Sequence, residues 1–203
     1  MDDLKYGCLK CGTCCHEIPG SPGAKRIPLY PEEVDRLIEI AKERGIEFAV
    51  REDLVFPDEM NKKILILTYR IILKPLGHCP FFNSNEGCSI HDKKPFACKA
   101  YPLSLKSLDA FKFEITIDPL CNFVIFNYDA LKDIKIDDLK SIFFDEYPKA
   151  EKFFRKNKKL QFKIKKLEAE KKIKITRSIS LEDFNKALET WERDEIRAEL
   201  KQD

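Results

Sequence analysis

The chain has 203 residues, 43% of them hydrophobic and 35% charged, with a formal net charge of +2. That length and apolar content support a core of their own, so the eight cysteines are not the staples of a small secreted fold. The net charge hides a local imbalance: residues 149–179 hold thirteen Lys or Arg against three acids.

The start, Met1-Asp2-Asp3-Leu4-Lys5, is short and acidic, unlike an ordinary secretory signal. The longest apolar runs, at residues 64–67 and 71–73, are far too short to span a bilayer. The expectation is a soluble, cytoplasmic protein with no membrane partner.

In chain order, the first feature is Cys8-Leu9-Lys10-Cys11-Gly12-Thr13-Cys14-Cys15, four thiols in eight residues. A turn-rich loop through Pro19, Gly20, Pro22 and Gly23 follows. Residues 31–45 predict an amphipathic helix, with Pro31 in its first turn, Glu32 and Glu33 at the positive end of the dipole, and Gly45 as the stop. Residues 63–74 predict strand, with a hairpin as an option, and lead to Cys79. Asn83 to Gly87 reads as a turn before Cys88, and residues 94–102, which carry Cys98, read as loop. Two strands are predicted at 103–108 and 110–117, the second on the alternation Phe111, Phe113, Ile115, Ile117. Cys121 follows at once. From about Ile136 the pattern turns helical. A long Lys-rich helix is expected at 150–172, and a last helix from Ser180 to about Leu200, opened by a Ser180–Asp183 capping box.

Thiols crowded in this way are disulfides, redox pairs or metal ligands. Disulfides suit a chain without an export signal poorly. A thioredoxin-like pair would sit at a helix start within a β-α-β unit, not before a Pro/Gly loop. Metal or cluster ligation remains. Zinc favours four-thiolate sites and so do iron–sulfur clusters. Cys8-x2-Cys11-x2-Cys14 has the triple spacing of bacterial 4Fe-4S ligation, and Cys79-Pro80 fits the separate thiol followed by Pro, which places iron–sulfur ahead of zinc. Cys14 and Cys15, on an extended backbone, would point to opposite sides and could serve separate centres. Of His16, His78 and His91, His91 is the best candidate for a mixed Cys/His site.

The first thiol run, together with Cys79-Pro80-Phe81-Phe82, Gly87-Cys88-Ser89-Ile90-His91 and Lys94-Pro95-Phe96-Ala97-Cys98-Lys99-Ala100-Tyr101-Pro102, resembles the YkgJ-like cysteine-cluster family. That family is described as a zinc- or iron-chelating domain and labelled Fe–S-cluster-containing. The resemblance covers roughly residues 8 to 121. It departs at His91, where an aromatic residue is common, and at Lys99, where Arg is common. It implies Cys8, Cys11, Cys14, Cys15, Cys79, Cys88, Cys98 and Cys121 as metal or cofactor ligands. It supplies no reaction, although a flagellin lysine methylase is similar in this module. No radical S-adenosylmethionine run, phosphate loop or nucleophile elbow is present.

The expectation is an α+β protein: a small cysteine-rich metal-centre core with short strands over residues 1–125, then a helical C-terminal extension over 126–203 packing on it. It would bind one or two 4Fe-4S centres and serve electron transfer or cluster-dependent modification of a macromolecule. The alternative is a non-catalytic structural zinc module. The 149–179 segment could meet a protein or RNA partner.

Overall fold

The computed structural model describes residues 4–18, 20–21, 25–73, 77–109 and 112–197. Pro19, Pro22 and Gly23 of the expected loop, Lys74 of the first expected strand, Ala110 and Phe111 of the second, and the expected helix end at Leu200 lie outside these residues.

The elements run β1 (Pro28–Leu29), α1 (Pro31–Glu43), β2 (Val50–Asp58), β3 (Lys63–Ile71), β4 (Phe82–Asn83), β5 (Gly87–Cys88), α2 (Phe96–Ala100), β6 (Leu103–Ser107) and β7 (Phe113–Ile117). They continue as α3 (Asn122–Phe126), α4 (Tyr128–Leu131), α5 (Ile136–Ile142), α6 (Glu146–Ala169), α7 (Leu181–Thr190) and β8 (Glu192–Glu195). The class is α+β, as expected. No helix among the described residues is long and apolar enough to cross a membrane.

The chain divides into two compact units, each made of two segments: Met1–Ile27 with Leu73–Arg155, and Pro28–Ile72 with Lys156–Asp203. All eight cysteines fall in the first. The helical segment from residue 126 is shared between the two, and the boundary falls within α6.

In the first unit, β4–β5 and β6–β7 are antiparallel hairpins. The core gathers Leu103, Phe123, Val124, Leu131, Leu139, Ile142, Phe143 and Ala150 around the buried Cys121. Phe143 is wholly buried. Tyr6, two residues before the first thiol, packs against Phe143 at 5.1 Å and edge-on to Phe123 at 5.0 Å between centroids. Its backbone N–H donates to Ile142 O at 2.8 Å. The start of the thiol run is thus anchored to the core by an aromatic ring and a ladder-like bond.

In the second unit, β3 is the central strand. Its Ile64, Leu65, Ile66 and Leu67 are all buried, as a strand covered on both faces requires. β2 runs antiparallel along one edge. The other edge is divided between β1, at residues 69–70, and β8, at 63–66, which is parallel. α1 packs against β3 with Val34, Leu37, Ile40 and Ala41 buried, and the Glu33 carboxylate caps it by accepting from Tyr30 N–H at 3.1 Å. On the β2–β3 turn, Asp58 is fully buried and accepts from the N–H groups of Met60 (3.2 Å) and Lys174 (2.9 Å).

Four expectations change here. The last helix ends at Thr190, and Glu192–Glu195 is strand β8. An open edge of β3 offers that segment a backbone ladder, which outweighs its mild helix preference. Residues 96–100 form a short helix, not a loop. Val50–Asp58, for which no element was expected, is a strand. The long helix begins at Glu146, with Pro148 in its first turn.

Candidate metal centre

Gly12 adopts φ +79°, and the chain then winds into a 3-10 turn at Thr13–Cys15, closed by Cys15 N–H to Gly12 O at 2.7 Å. A Cβ on Gly12 would meet the Phe82 ring at 2.3 Å. This turn overturns the extended-backbone expectation for the adjacent cysteines. The Cys14 and Cys15 sulfurs lie 3.7 Å apart and share a hydrogen bond, so they face one region.

Long-range backbone contacts then bring the second group of thiols to the first. Cys79 N–H donates to Cys15 O at 2.7 Å, and Glu17 N–H to Gly77 O at 2.6 Å. Gly87, at φ +78°, lies so close to Lys10 that a Cβ there would stand 2.8 Å from Lys10 Cβ and 2.9 Å from Lys10 O. Only glycine permits that approach, and it sets Cys88 beside the N-terminal run. Cys98 is carried on α2, and Cys121 is the N-cap residue of α3. Thr13 Oγ1 donates to Asn122 Oδ1 at 3.3 Å, joining the first run to α3.

All eight cysteines are free thiols. Cys15, Cys79 and Cys121 are buried, Cys14, Cys88 and Cys98 half-buried, and Cys8 and Cys11 exposed. Their ionisation reflects burial and one another's charge. A hydrogen bond from Cys15, then burial, pushes the Cys14 thiol up. At Cys15 the bond with Cys14 pulls the value down, but the bond with Cys79, burial and the charges of Cys79 and Cys88 push it to about 12. Burial, then Cys14, Cys15 and Cys88, raise Cys98. Burial also raises Cys88 and Cys121, opposed by backbone N–H donors: Ile90 on Cys88, Val124 and Phe123 on Cys121. Cys15 thus feels Cys14, Cys79 and Cys88, Cys98 feels Cys14, Cys15 and Cys88, Cys88 feels Cys14 and Cys8, and Cys121 feels Cys11.

A lysine stands close to them. Lys94 Nζ lies 3.7 Å from Cys8 Sγ, and its charge favours the thiolates of Cys14, Cys88 and Cys98. In the sequence Lys94 is one lysine among many, and only its place before Cys98 hints at this role.

The histidines divide. His16 Nδ1 donates to Gly12 O at 2.7 Å, and its ring packs on Phe82. His78 Nδ1 lies 3.1 Å from Cys79 O. Both are thus engaged by backbone. His91 has Nδ1 3.7 Å from Asp92 Oδ1, and its buried Nε2 has no hydrogen-bond partner.

The donor chemistry suits a thiophilic metal: soft sulfurs, none consumed in disulfides, with N–H donors and an ammonium to support thiolate charge. Among the described residues, no three Cys, His, Asp or Glu side chains are arranged to close on a single ion.

Neither the curated proteins nor the solved structures give a match to this chain. A family sequence model does, over residues 7–122, nearly the span of the resemblance read from the motifs. The chain belongs to that family, CxxCxxCC, described as a putative zinc- or iron-chelating domain.

Proposed function

We propose that the first unit is an iron–sulfur protein module whose cysteines hold one or two 4Fe-4S centres. The observation that supports this reading is that the Cys79 and Cys88 stretches are brought against the Cys8–Cys15 run, all eight thiols being free, with backbone N–H groups directed at Cys88 and Cys121 and the Lys94 ammonium beside Cys8. Amide hydrogen bonds to sulfur and a nearby cation stabilise thiolate ligands and set cluster potentials. The Cys8-x2-Cys11-x2-Cys14 spacing and the Cys79-Pro80 pair favour iron–sulfur over zinc.

The buried or half-buried Cys14, Cys15, Cys79, Cys88 and Cys98 would supply the inner ligands. The exposed Cys8 and Cys11 would bring the edge of the site to the surface, where a redox partner or a macromolecular substrate makes contact. A bound 4Fe-4S cluster supplies a one-electron couple. Phe81 and Ile90, each buried and two residues beyond a cysteine, would help to exclude water, and Lys94 would offset anionic charge at the thiolates.

Anaerobic purification with iron, zinc and acid-labile sulfide analysis tests the reading. A brown protein absorbing near roughly 400 nm, with iron and sulfide in equal amounts, is the expected result. A colourless protein with stoichiometric zinc and no sulfide would replace this reading with the structural zinc module.

A further inference from the structure

In the second unit a cleft of about 690 Å³ opens beside the β2–β3 turn, the 174–180 strap and α7. Asp58 fixes two of its walls to each other through the N–H groups of Met60 and Lys174. Lys62, Lys174, Arg177 and Lys186 line it, against Glu59 and Asp183. Both acids are already engaged. Glu59 accepts from Lys174 Nζ at 2.8 Å and Thr176 Oγ1 at 3.1 Å, and Asp183 accepts from Ser180 Oγ at 2.7 Å. Arg177 is shared with Glu168 at 3.4 Å. Neither Lys62 nor Lys186 forms an ion pair with any described acid, although Lys62 acts on Glu59 by its charge, and the four cations of the lining outnumber its two carboxylates, so the cleft carries an excess of positive charge.

The chain's single tryptophan, Trp191, lines the same cleft. It packs against Ile64, Ile66 and Ala187, and Lys62 Nζ sits over its ring, 4.9 Å from the centroid. Lys62 takes φ +53° to reach that place, a backbone region that side-chain-bearing residues use sparingly. An adjoining cavity shares Ile175, Thr176 and Arg177 and adds Lys165. A further groove on α6 is lined by Lys159, Lys163, Lys166 and Lys172. Seven of the thirteen basic residues of 149–179 line these three cavities, Lys159, Lys163 and Lys166 on one face of α6.

An aromatic ring with unpaired ammonium groups beside it is the equipment of a single-strand nucleic-acid site: bases stack on the ring and cations follow the phosphates. An acidic peptide would use the lysines and leave the ring idle. We propose that this cleft binds single-stranded nucleic acid. One base takes the place of the Lys62 ammonium over Trp191, Lys62 moves to the adjoining phosphate, and Lys186 and Arg177 meet its neighbours. This inference is independent of which metal the first unit holds.

Trp191 is its own reporter. The full chain, as purified with its metal, is titrated at low salt with a short oligouridylate, AMP and polyglutamate while tryptophan emission is followed. The oligonucleotide should give a saturable change whose affinity falls steeply with salt, AMP should bind more weakly, and polyglutamate should leave the emission unchanged. By anisotropy of a labelled oligonucleotide, the double variant K62Q/K186Q should bind about tenfold or more weaker, and W191F about fivefold or more weaker, as the loss of a phosphate or stacking contact implies. Metal content should be unchanged in every variant, and K62Q and K186Q singly should show intermediate affinities. No emission change with the oligonucleotide, unaltered affinity in K62Q/K186Q, polyglutamate equal to the oligonucleotide, or AMP as tight as the strand would each overturn the proposal.

Discussion

The Lys94 ammonium stands 3.7 Å from the Cys8 sulfur and reaches Cys14, Cys88 and Cys98 by its charge. Replacing it with Gln removes a lysine that favours ionisation at all three. Lys94→Gln should lower metal affinity by about tenfold or more, the usual effect of losing a supporting partner of a metal ligand, while Lys94→Arg keeps most of it. Competition against a chelator measures this. Equal affinity in parent and Lys94→Gln would mean that the contact is incidental.

The crowded thiols give a second expectation, in alkali. Cys14, Cys15, Cys88, Cys98 and Cys121 are all held above the ordinary thiol value, taken as 9.0. In metal-stripped protein the unfolded chain therefore loses these protons before the folded one does. Their contribution to stability is fully present below about pH 9 and is lost as pH climbs through the folded values. Denaturant midpoints should be level below that pH and fall above it. Metal affinity should rise over the same range, because binding expels the protons.

Gly87 is the position where the two thiol-bearing stretches come closest. Gly87→Ala adds a methyl group 2.9 Å from Lys10 O at a backbone φ of +78°. Strain and displacement together should cost about 1–3 kcal/mol, and metal stoichiometry should fall because Cys88 is pushed away from the N-terminal run. Urea unfolding and metal analysis read the two effects. A variant with full stability and full metal would show that the approach of these stretches is not required.

Phe143 is the buried ring on which Tyr6 rests. Phe143→Ala should cost about 3–5 kcal/mol, as truncations of buried aromatics do. Since Tyr6 also bonds Ile142 O, the N-terminal thiols should become more reactive. Alkylation of Cys8 and Cys11, followed by mass spectrometry, should be faster in the variant than in the parent.

Lys156 belongs by composition to the basic run but is buried, paired with Glu32 and set 3.7 Å over the Tyr30 ring. Lys156→Ala strands a partly exposed carboxylate, so the loss should be about 2–3 kcal/mol, at or below the lower end of the range for fully buried pairs. Oligonucleotide binding should be unaffected, in contrast to K62Q/K186Q. Weakened binding in a stably folded Lys156→Ala would contradict this assignment.

The candidate thiols are legible in the sequence because spacing is local: Cys8-x2-Cys11-x2-Cys14 and Cys79-Pro80 announce themselves within a few residues. The contacts that join these stretches are not. Cys79 N–H to Cys15 O and Gly87 against Lys10 link residues more than sixty positions apart, and no periodicity encodes them. β7 is plain from its alternation. β2 is masked because Arg51, Glu52 and Asp53 interrupt the pattern, with a bulge at Asp53 and Pro57 near its end. It lies along one edge of β3, where proline is tolerated. β8 is read as helix because Glu192–Glu195 becomes a strand only when β3 offers it a partner. Lys94, Lys62 and Trp191 acquire roles only through neighbours that folding brings to them.

The passage of the chain out of the cysteine unit at Pro28 and back at Leu73 has a consequence for biosynthesis. As the polypeptide leaves the ribosome, Cys8 to Cys15 emerge first, and the sulfurs they are to meet arrive only after the whole excursion has been made. Until then the early cysteines stand solvent-exposed and unmatched, open to oxidants and stray ions. On the proposed function, the full set of eight thiols is assembled only once Cys121 has emerged, when more than half of the 203 residues have been made.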